Sequence, residues 1–327
     1  MVEHSNVESV VAQEFQATPQ VKALARKYGY EEYMVSRFAQ FVPDLEKFLA
    51  SMEQAPPVYI RVNTLKIGQN ALIQRLKDKG FSLKASDLPD CLEVTAEPYS
   101  IGASAEHLLG YFYVQDKSSL VPPLALAPSS GDTVIDMAAS PGGKTTHIAQ
   151  LMNNEGLLVA IELEPSRMPG LRANLGRCGV RNVALFEMDA MDASRLDLRA
   201  DKILLDAPCT GEGVIAKDQT RKTSRELADI AFCAGQQREL IDAACSVLKP
   251  GGTLVYSTCS FAPEEDEQIV DYAVKKHGLK VEPIPYGSPA LESFGTQQFS
   301  PEVANARRMY PHLHRTTGFF VARLRNV

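Results

Sequence analysis

Three absences each close off a class of protein. No apolar run approaches the roughly 18 residues of a membrane-spanning helix, and no signal-peptide pattern is present. A cytoplasmic location is therefore expected. The six cysteines, Cys91, Cys178, Cys209, Cys233, Cys245 and Cys259, include no Cys-x-x-Cys pair and have no histidine pairs nearby. That pattern offers no zinc site and, in a reducing compartment, no disulfide framework, so no metal is expected. Strong positive charge is also missing. A net charge of −6 argues against indiscriminate coating of nucleic acid, while leaving room for a local basic face. The remaining composition, 45% hydrophobic and 23% charged over 327 residues, is that of an ordinary globular chain, long enough for two domains.

The chain is organised around Thr133-Val-Ile-Asp-Met-Ala-Ala-Ser-Pro-Gly-Gly-Lys-Thr-Thr146. Thr133–Met137 is short, apolar and β-branched, which predicts a buried strand. Ala138, Ala139, Ser140, Pro141, Gly142 and Gly143 are small residues or turn formers, and helical spacing resumes over His147–Met152. Strand, tight loop and helix start bring free backbone N–H groups and a positive dipole end together. Nucleotide-like ligands bind at such a first βα crossing of an open parallel sheet. Two ligands compete for it. Gly143-Lys144-Thr145 ends like a phosphate-binding P-loop, with Asp206 as its Mg²⁺-side partner, but that loop needs glycine where this chain has Ala138. S-adenosylmethionine instead needs a carboxylate for its ribose hydroxyls at the end of the second strand. Glu162 stands there, about twenty residues on. The S-adenosylmethionine reading is the better match.

Residues 1–55 read as helices, with apolar spacing over Ala23–Tyr33, Met34–Phe41 and Leu45–Met52. Val58–Asn63 alternates like a strand, Ile67–Lys79 is an amphipathic helix closed by Gly80, and Phe81–Leu83 and Leu92–Thr95 are further strands. A helical cap and a small α+β unit thus fill residues 1–105, with 106–327 forming the larger α/β domain. Arg61 reads equally well as a surface charge or a phosphate contact. In the second part, strands alternate with helices, and Pro165–Cys178 is a helix with Pro169 in its first turn or at a kink. Successive strands deliver Asp136, Glu162, Asp189 and Asp206 at their carboxyl ends, which assigns Glu162 to the ribose and Asp189 to the adenine amine. Two basic stretches suit RNA. One is the 210–225 loop with Lys217, Arg221, Lys222 and Arg225; the other is the acid-free tail from Val303, with Arg307 and Arg308 beside Tyr310.

Cys209 and Cys259 each follow a strand directly, unlike Cys178, Cys233 and Cys245, which sit in helices as small hydrophobes. Carbon 5 of a pyrimidine is a poor nucleophile. A thiolate adding at carbon 6 turns it into an enamine carbon that accepts a methyl from a sulfonium, after which a base removes the carbon-5 proton and the thiolate leaves. Two thiols and the carboxylate of Asp206 suit that route, and either cysteine fits the attacking role.

These residues resemble the Nop/Sun family of RNA cytosine-5 methyltransferases, closest to the short archaeal tRNA enzymes. The matching pieces are Arg61-Val-Asn-Thr-Leu65, Gln115-Asp116, Asp136–Thr145, Asp206-Ala-Pro-Cys209, Tyr256-Ser-Thr-Cys-Ser260 and Gly318-Phe-Phe-Val-Ala322. The resemblance implies a Rossmann-like class I methyltransferase sheet preceded by an RRM-like unit. It also implies S-adenosylmethionine as cofactor and tRNA as the RNA partner, with rRNA as the alternative. Ala138–Lys144, Glu162, Asp189 and Asp206 would then line the cofactor and cytosine pocket, with Cys259 as nucleophile and Cys209 aiding release. Two positions depart from the family pattern: Glu162 stands where aspartate is usual, and Ala139-Ser140-Pro141 where cysteine or alanine-alanine-proline is frequent. A P-loop-like nucleotide hydrolase and a non-catalytic RNA-binding scaffold are the rival readings.

Overall fold

The structure, a computed structural model, describes residues 17–327, so the first 16 residues of the expected helical region lie outside the described residues. Thr18 accepts from the Val21 N–H at 3.2 Å and starts a helix at Pro19–Tyr28, which Gly29 ends at φ 72°. The single helix expected over Ala23–Tyr33 therefore stops at this glycine, and a second begins at Glu32–Phe38. Leu45–Met52 is helical as expected.

After Pro56-Pro57 the chain becomes extended. Strands β1 (Val58–Val62), β2 (Ser82–Ala85), β3 (Cys91–Ala96) and β4 (Phe112–Val114) pair antiparallel in the order β2-β3-β1-β4. Helices Gln69–Lys77 and Ala105–Leu108 follow β1 and β3, giving the βαββαβ order of a ferredoxin-like unit. Ile60, Val62, Leu72, Leu76, Phe81, Leu92, Ile101 and Phe112 close its core. The RRM-like expectation is met, and the sheet closes with β4, beyond the boundary drawn at residue 105.

The larger sheet begins at β5 (Thr133–Asp136), followed by β6 (Leu157–Glu162), β7 (Val183–Glu187), β8 (Ala200–Asp206) and β9 (Leu248–Thr258). β7-β6-β5-β8 pair in parallel and β9 lies next to β8. β5 and β6 are buried on both faces, which is why their sequences are continuously apolar rather than alternating. Asp136 stands opposite Ala160 and Leu204, and Glu162 opposite Glu187. That register brings Asp136, Glu162, Asp189 and Asp206 to one edge. The strand order reverses between β5 and β8, and the crevice at such a reversal is where ligands bind.

The later strands are β10 (Lys280–Glu282), β11 (Ser288–Pro289), the hairpin β12 (Ser293–Phe294) and β13 (Gln297–Gln298), β14 (Arg307–Met309) and β15 (Phe319–Arg325). β11, β14 and β15 pair antiparallel in that order, and β15 lies beside β9.

Two compact units divide the chain. One contains residues up to Pro56, Ala207–Ile241 and Ser257–Ala322; the other contains Pro57–Asp206, Asp242–Tyr256 and Arg323–Val327. In the first unit the N-terminal helices share a core with Ile215, Phe261 and Tyr310. Its centre is an edge-to-face cluster of Phe38, Phe48 and Phe261 with ring centroids 5.1 to 5.8 Å apart.

Candidate active site

The loop after β5 needs glycine at position 142. Its φ is +101°, and a Cβ there would lie 3.0 Å from Leu171 Cδ1. Helix Gly143–Leu151 then starts without a side-chain cap, which leaves first-turn N–H groups for a ligand. Arg61 is neither a surface charge nor a phosphate contact. It is wholly buried, donating to the Gly143 carbonyl at 2.6 Å, to Gln115 Oε1 at 2.9 Å and to Thr146 Oγ1 at 2.8 Å. A strand of the small sheet thus braces the glycine loop. Asn63, just past that strand, donates elsewhere, to the Gly110 and Cys178 carbonyls at 2.7 and 2.8 Å.

Asp136 Oδ2 accepts from Thr145 Oγ1 at 2.7 Å, while Oδ1 is buried with no hydrogen-bond partner among the described residues. Desolvation pushes this carboxyl up to about 6. An unpartnered carboxylate oxygen and an uncapped helix start fit a ligand with both cationic and carboxylate groups, as S-adenosylmethionine has. Glu162 is buried and accepts from the Ser140 N–H at 3.2 Å and the Glu164 N–H at 2.9 Å. Each oxygen accepts one of these N–H groups, and Arg167 Nη1 lies 3.8 Å from Oε1. Asp189 accepts from the Met191 N–H at 2.9 Å, which fixes its carboxylate at the end of β7. Lys144 Nζ lies 2.6 Å from Asp206 Oδ2. A lysine committed to a carboxylate does not reach for phosphates, which counts against the P-loop reading.

In the other unit, the sulfurs of Cys209 and Cys259 are 3.2 Å apart, and both residues are partly exposed. The hydrogen bond shared with Cys259, together with burial, raises the Cys209 thiol well above the ordinary range. Either sulfur can donate in this contact, and with the proton on Cys209 the arrangement suits Cys259 as the attacking thiolate. The backbone around the pair is crowded. Gly213 N donates to the Cys259 carbonyl at 2.8 Å, and a Cβ at Gly213 would stand 2.3 Å from the Gly318 carbonyl oxygen.

Three consecutive acids missed by the sequence reading hold the turn that carries Cys259. Glu265, Asp266 and Glu267 are all fully buried. Asp266 accepts from Thr258 Oγ1 at 2.6 Å. Glu267 pairs with Arg308, whose Nε lies 2.6 Å from Glu267 Oε1 and whose Nη1 donates to the Phe261 carbonyl at 3.0 Å. Glu265 accepts from Ser260 Oγ at 2.7 Å, from Thr210 N–H at 3.0 Å, from Gln237 Nε2 at 3.0 Å, and from Thr210 Oγ1. The available signal was the placement of this acid run between apolar pairs, Phe261-Ala262 and Ile269-Val270.

Two of the four expected RNA contacts, Lys222 and Arg308, need correction. Arg308 is 0% exposed and forms the buried pair just described, so it cannot meet a phosphate. Lys222 is also buried, lying 2.6 Å from Glu53 and donating to the Tyr28 carbonyl at 2.9 Å. Arg221 and Arg307 are half-buried. Arg221 donates to Asp218 and to the Thr210 carbonyl at 2.7 Å, and Arg307 donates to the Ile284 carbonyl at 2.7 Å. Tyr310 is buried and stacks on Phe261 at 6.0 Å. These side chains are committed to carbonyls and carboxylates of the protein itself, which a count of cations along the sequence does not register.

The sheet order and the acid-lined edge at its point of reversal define a class I methyltransferase fold. The chain belongs to the family described as 16S rRNA methyltransferase RsmB/F, whose model matches residues 123–325, and the RsmF/B-like ferredoxin-like domain matches residues 30–101. It is 38% identical over 314 residues to a 28S rRNA (cytosine-C(5))-methyltransferase of Mus musculus, covering 93% of this chain and 40% of that protein. Ribosomal RNA small subunit methyltransferase F of Vibrio campbellii is 39% identical over 292 residues, covering 87% of this chain and 60% of that protein. The chain thus spans about half the length of these curated relatives. Among solved structures, a methyltransferase homolog protein from Pyrococcus horikoshii superposes with a TM-score of 0.88 at 42% identity, covering 95% of this chain and 100% of that one. NSun6 from the same organism, solved with SFG, gives 0.77 at 30% identity, covering 96% and 98%.

Proposed function

We propose that this protein transfers a methyl group to carbon 5 of cytosine in RNA. The observation that carries this reading is the thiol pair, Cys209 and Cys259, with sulfurs 3.2 Å apart. S-adenosylmethionine supplies the methyl group as a sulfonium. The loop Ala138–Lys144, Glu162 and Asp189 hold it, and Asp206, paired with Lys144, serves the ring-nitrogen and amine edge of the cytosine. Cys259 adds at carbon 6 and makes carbon 5 nucleophilic. Once carbon 5 is methylated its proton must depart to a base, and the Cys259–carbon 6 bond then breaks to return the thiolate. Cys209 serves this second half. Ribosomal RNA is favoured over tRNA, because both curated relatives above are named as rRNA enzymes.

The two cysteines leave different traces when removed. Cys259→Ala is expected to be inactive and to form no covalent protein–RNA band on a denaturing gel. Cys209→Ala is expected to accumulate that band, in dependence on S-adenosylmethionine and a target cytosine. The reverse pattern swaps the roles, and no band under any condition removes the covalent route. Bisulfite sequencing of rRNA and tRNA, from cells with and without the protein, identifies the substrate.

A further inference from the structure

Each cysteine of the pair is followed by a hydroxyl residue, Thr210 after Cys209 and Ser260 after Cys259. Both hydroxyls converge on one carboxylate. Glu265 Oε1 accepts from Ser260 Oγ and Thr210 Oγ1, while Oε2 accepts from the Thr210 N–H and from Gln237 Nε2. The two hydroxyls lie 3.2 Å from each other, and Gln237 also donates to the Pro208 carbonyl at 2.9 Å, just before Cys209. The chain on both sides of Cys209 is therefore fastened to the residue that follows Cys259.

We propose that Glu265 is a positioning residue that sets the separation of the two thiols by latching Thr210 and Ser260. The proposal rests on Cys209 and Cys259 being the reacting pair. Packing alone does not explain this residue, because an apolar side chain would fill the same volume without burying a charge. A carboxylate is the side chain that accepts from four donors while presenting no proton of its own. Residues 210 and 260 are far apart in the chain, and this one group joins them. Burial raises the carboxyl above its ordinary value, and the hydrogen bonds from Thr210, Ser260 and Gln237 oppose that shift.

The test separates thiol geometry from catalysis. Phenylarsine oxide bridges two thiols held close together and releases water, with no change of oxidation state. In a Cys233→Ser background, wild-type geometry is expected to bind it tightly at Cys209 and Cys259, as read by mass mapping of the bridged peptides. Glu265→Ala is expected to lose about a hundredfold or more of that affinity, because the second bond no longer forms within a held pair. The number of titratable thiols should not change. On RNA, kcat should fall about a hundredfold, as for a misplacement on the order of 1 Å, with the KM for S-adenosylmethionine unchanged. Glu265→Gln keeps one acceptor oxygen and should recover part of both losses. If Glu265→Ala fails to fold, Thr210→Val and Ser260→Ala each remove one arm and should each weaken arsenical binding. A folded Glu265→Ala, or both single-arm variants, with wild-type arsenical affinity would overturn the proposal. A loss of arsenical affinity without any methyl transfer by the wild type would overturn the functional reading and leave the latch standing.

Discussion

The loop after β5 and the turn after β9 treat their polar atoms in opposite ways. At the first, Asp136 keeps a buried oxygen without a partner among the described residues, and helix Gly143–Leu151 starts without a side-chain cap. At the second, Thr258 and Ser260 on either side of Cys259 are bonded to Asp266 and Glu265, and the Cys259 carbonyl accepts from Gly213. Open valences suit a site whose occupant must arrive and leave on every turnover. Bonded neighbours suit a reactive atom that belongs to the protein and must stay where it is. The contrast also extends to how each is supported. Arg61 holds the loop from the small sheet by donating to the Gly143 carbonyl, whereas the cysteine turn is held by buried acids that accept from the donors around it.

The comparison breaks most visibly at Arg308. Arg308→Ala leaves Asp266 and Glu267 buried without their cation, and about 3–5 kcal/mol of stability should be lost in denaturant unfolding. The same variant tests the corrected role. If Arg308 were an RNA contact, stability would hold and only the salt slope of RNA binding would fall.

Glu212 tests the same region through pH. It accepts from the Phe261 N–H at 3.2 Å, and desolvation pushes its carboxyl up to about 7 from an ordinary 4.5. The fold therefore favours the protonated form. The stability this group contributes is full below about 4.5 and is lost as pH rises through about 7. Glu212→Gln, neutral throughout, should be more stable than wild type at pH values above that range, by at most about 3 kcal/mol. Part of this gain is offset by the lost attraction to Arg37. Melting curves taken across the acid range should converge as pH falls; parallel curves would show that Glu212 is ionised at little cost.

On the cofactor side the loss is read in affinity. Glu162→Ala removes the acceptors proposed for two ribose hydroxyls, and at about 1.5–3 kcal/mol per charged bond the affinity for S-adenosylmethionine should drop more than tenfold in calorimetry. It also releases the Ser140 and Glu164 N–H groups, so loop order and cofactor affinity should fall together. Unchanged affinity would make Glu162 a loop brace only and narrow the contrast between the two regions.

Local sequence alone determined much of this protein. Continuous apolar strands, the small residues of 138–143, and an acid or cysteine directly after a strand are patterns a few residues long, and they placed the sheet, the loop and the two cysteines on their elements. The same locality explains the misplaced helix end near Gly29, where a single glycine overrode an apolar period that continued past it. Tertiary structure decided which charges are buried. Arg308 and Lys222 look like solvated cations in the chain, and Glu265, Asp266 and Glu267 look like a solvated acid run. Arg308 meets Glu267 41 residues away, Lys222 meets Glu53 169 residues away, and Glu265 meets Thr210 55 residues away. A buried charge is tolerated only when its partner is brought to it, and no pattern within a single element records that partner. The 3.2 Å between the sulfurs of Cys209 and Cys259, 50 residues apart, has the same origin: the sequence supplied two thiols, and the packing of their two loops made them a pair.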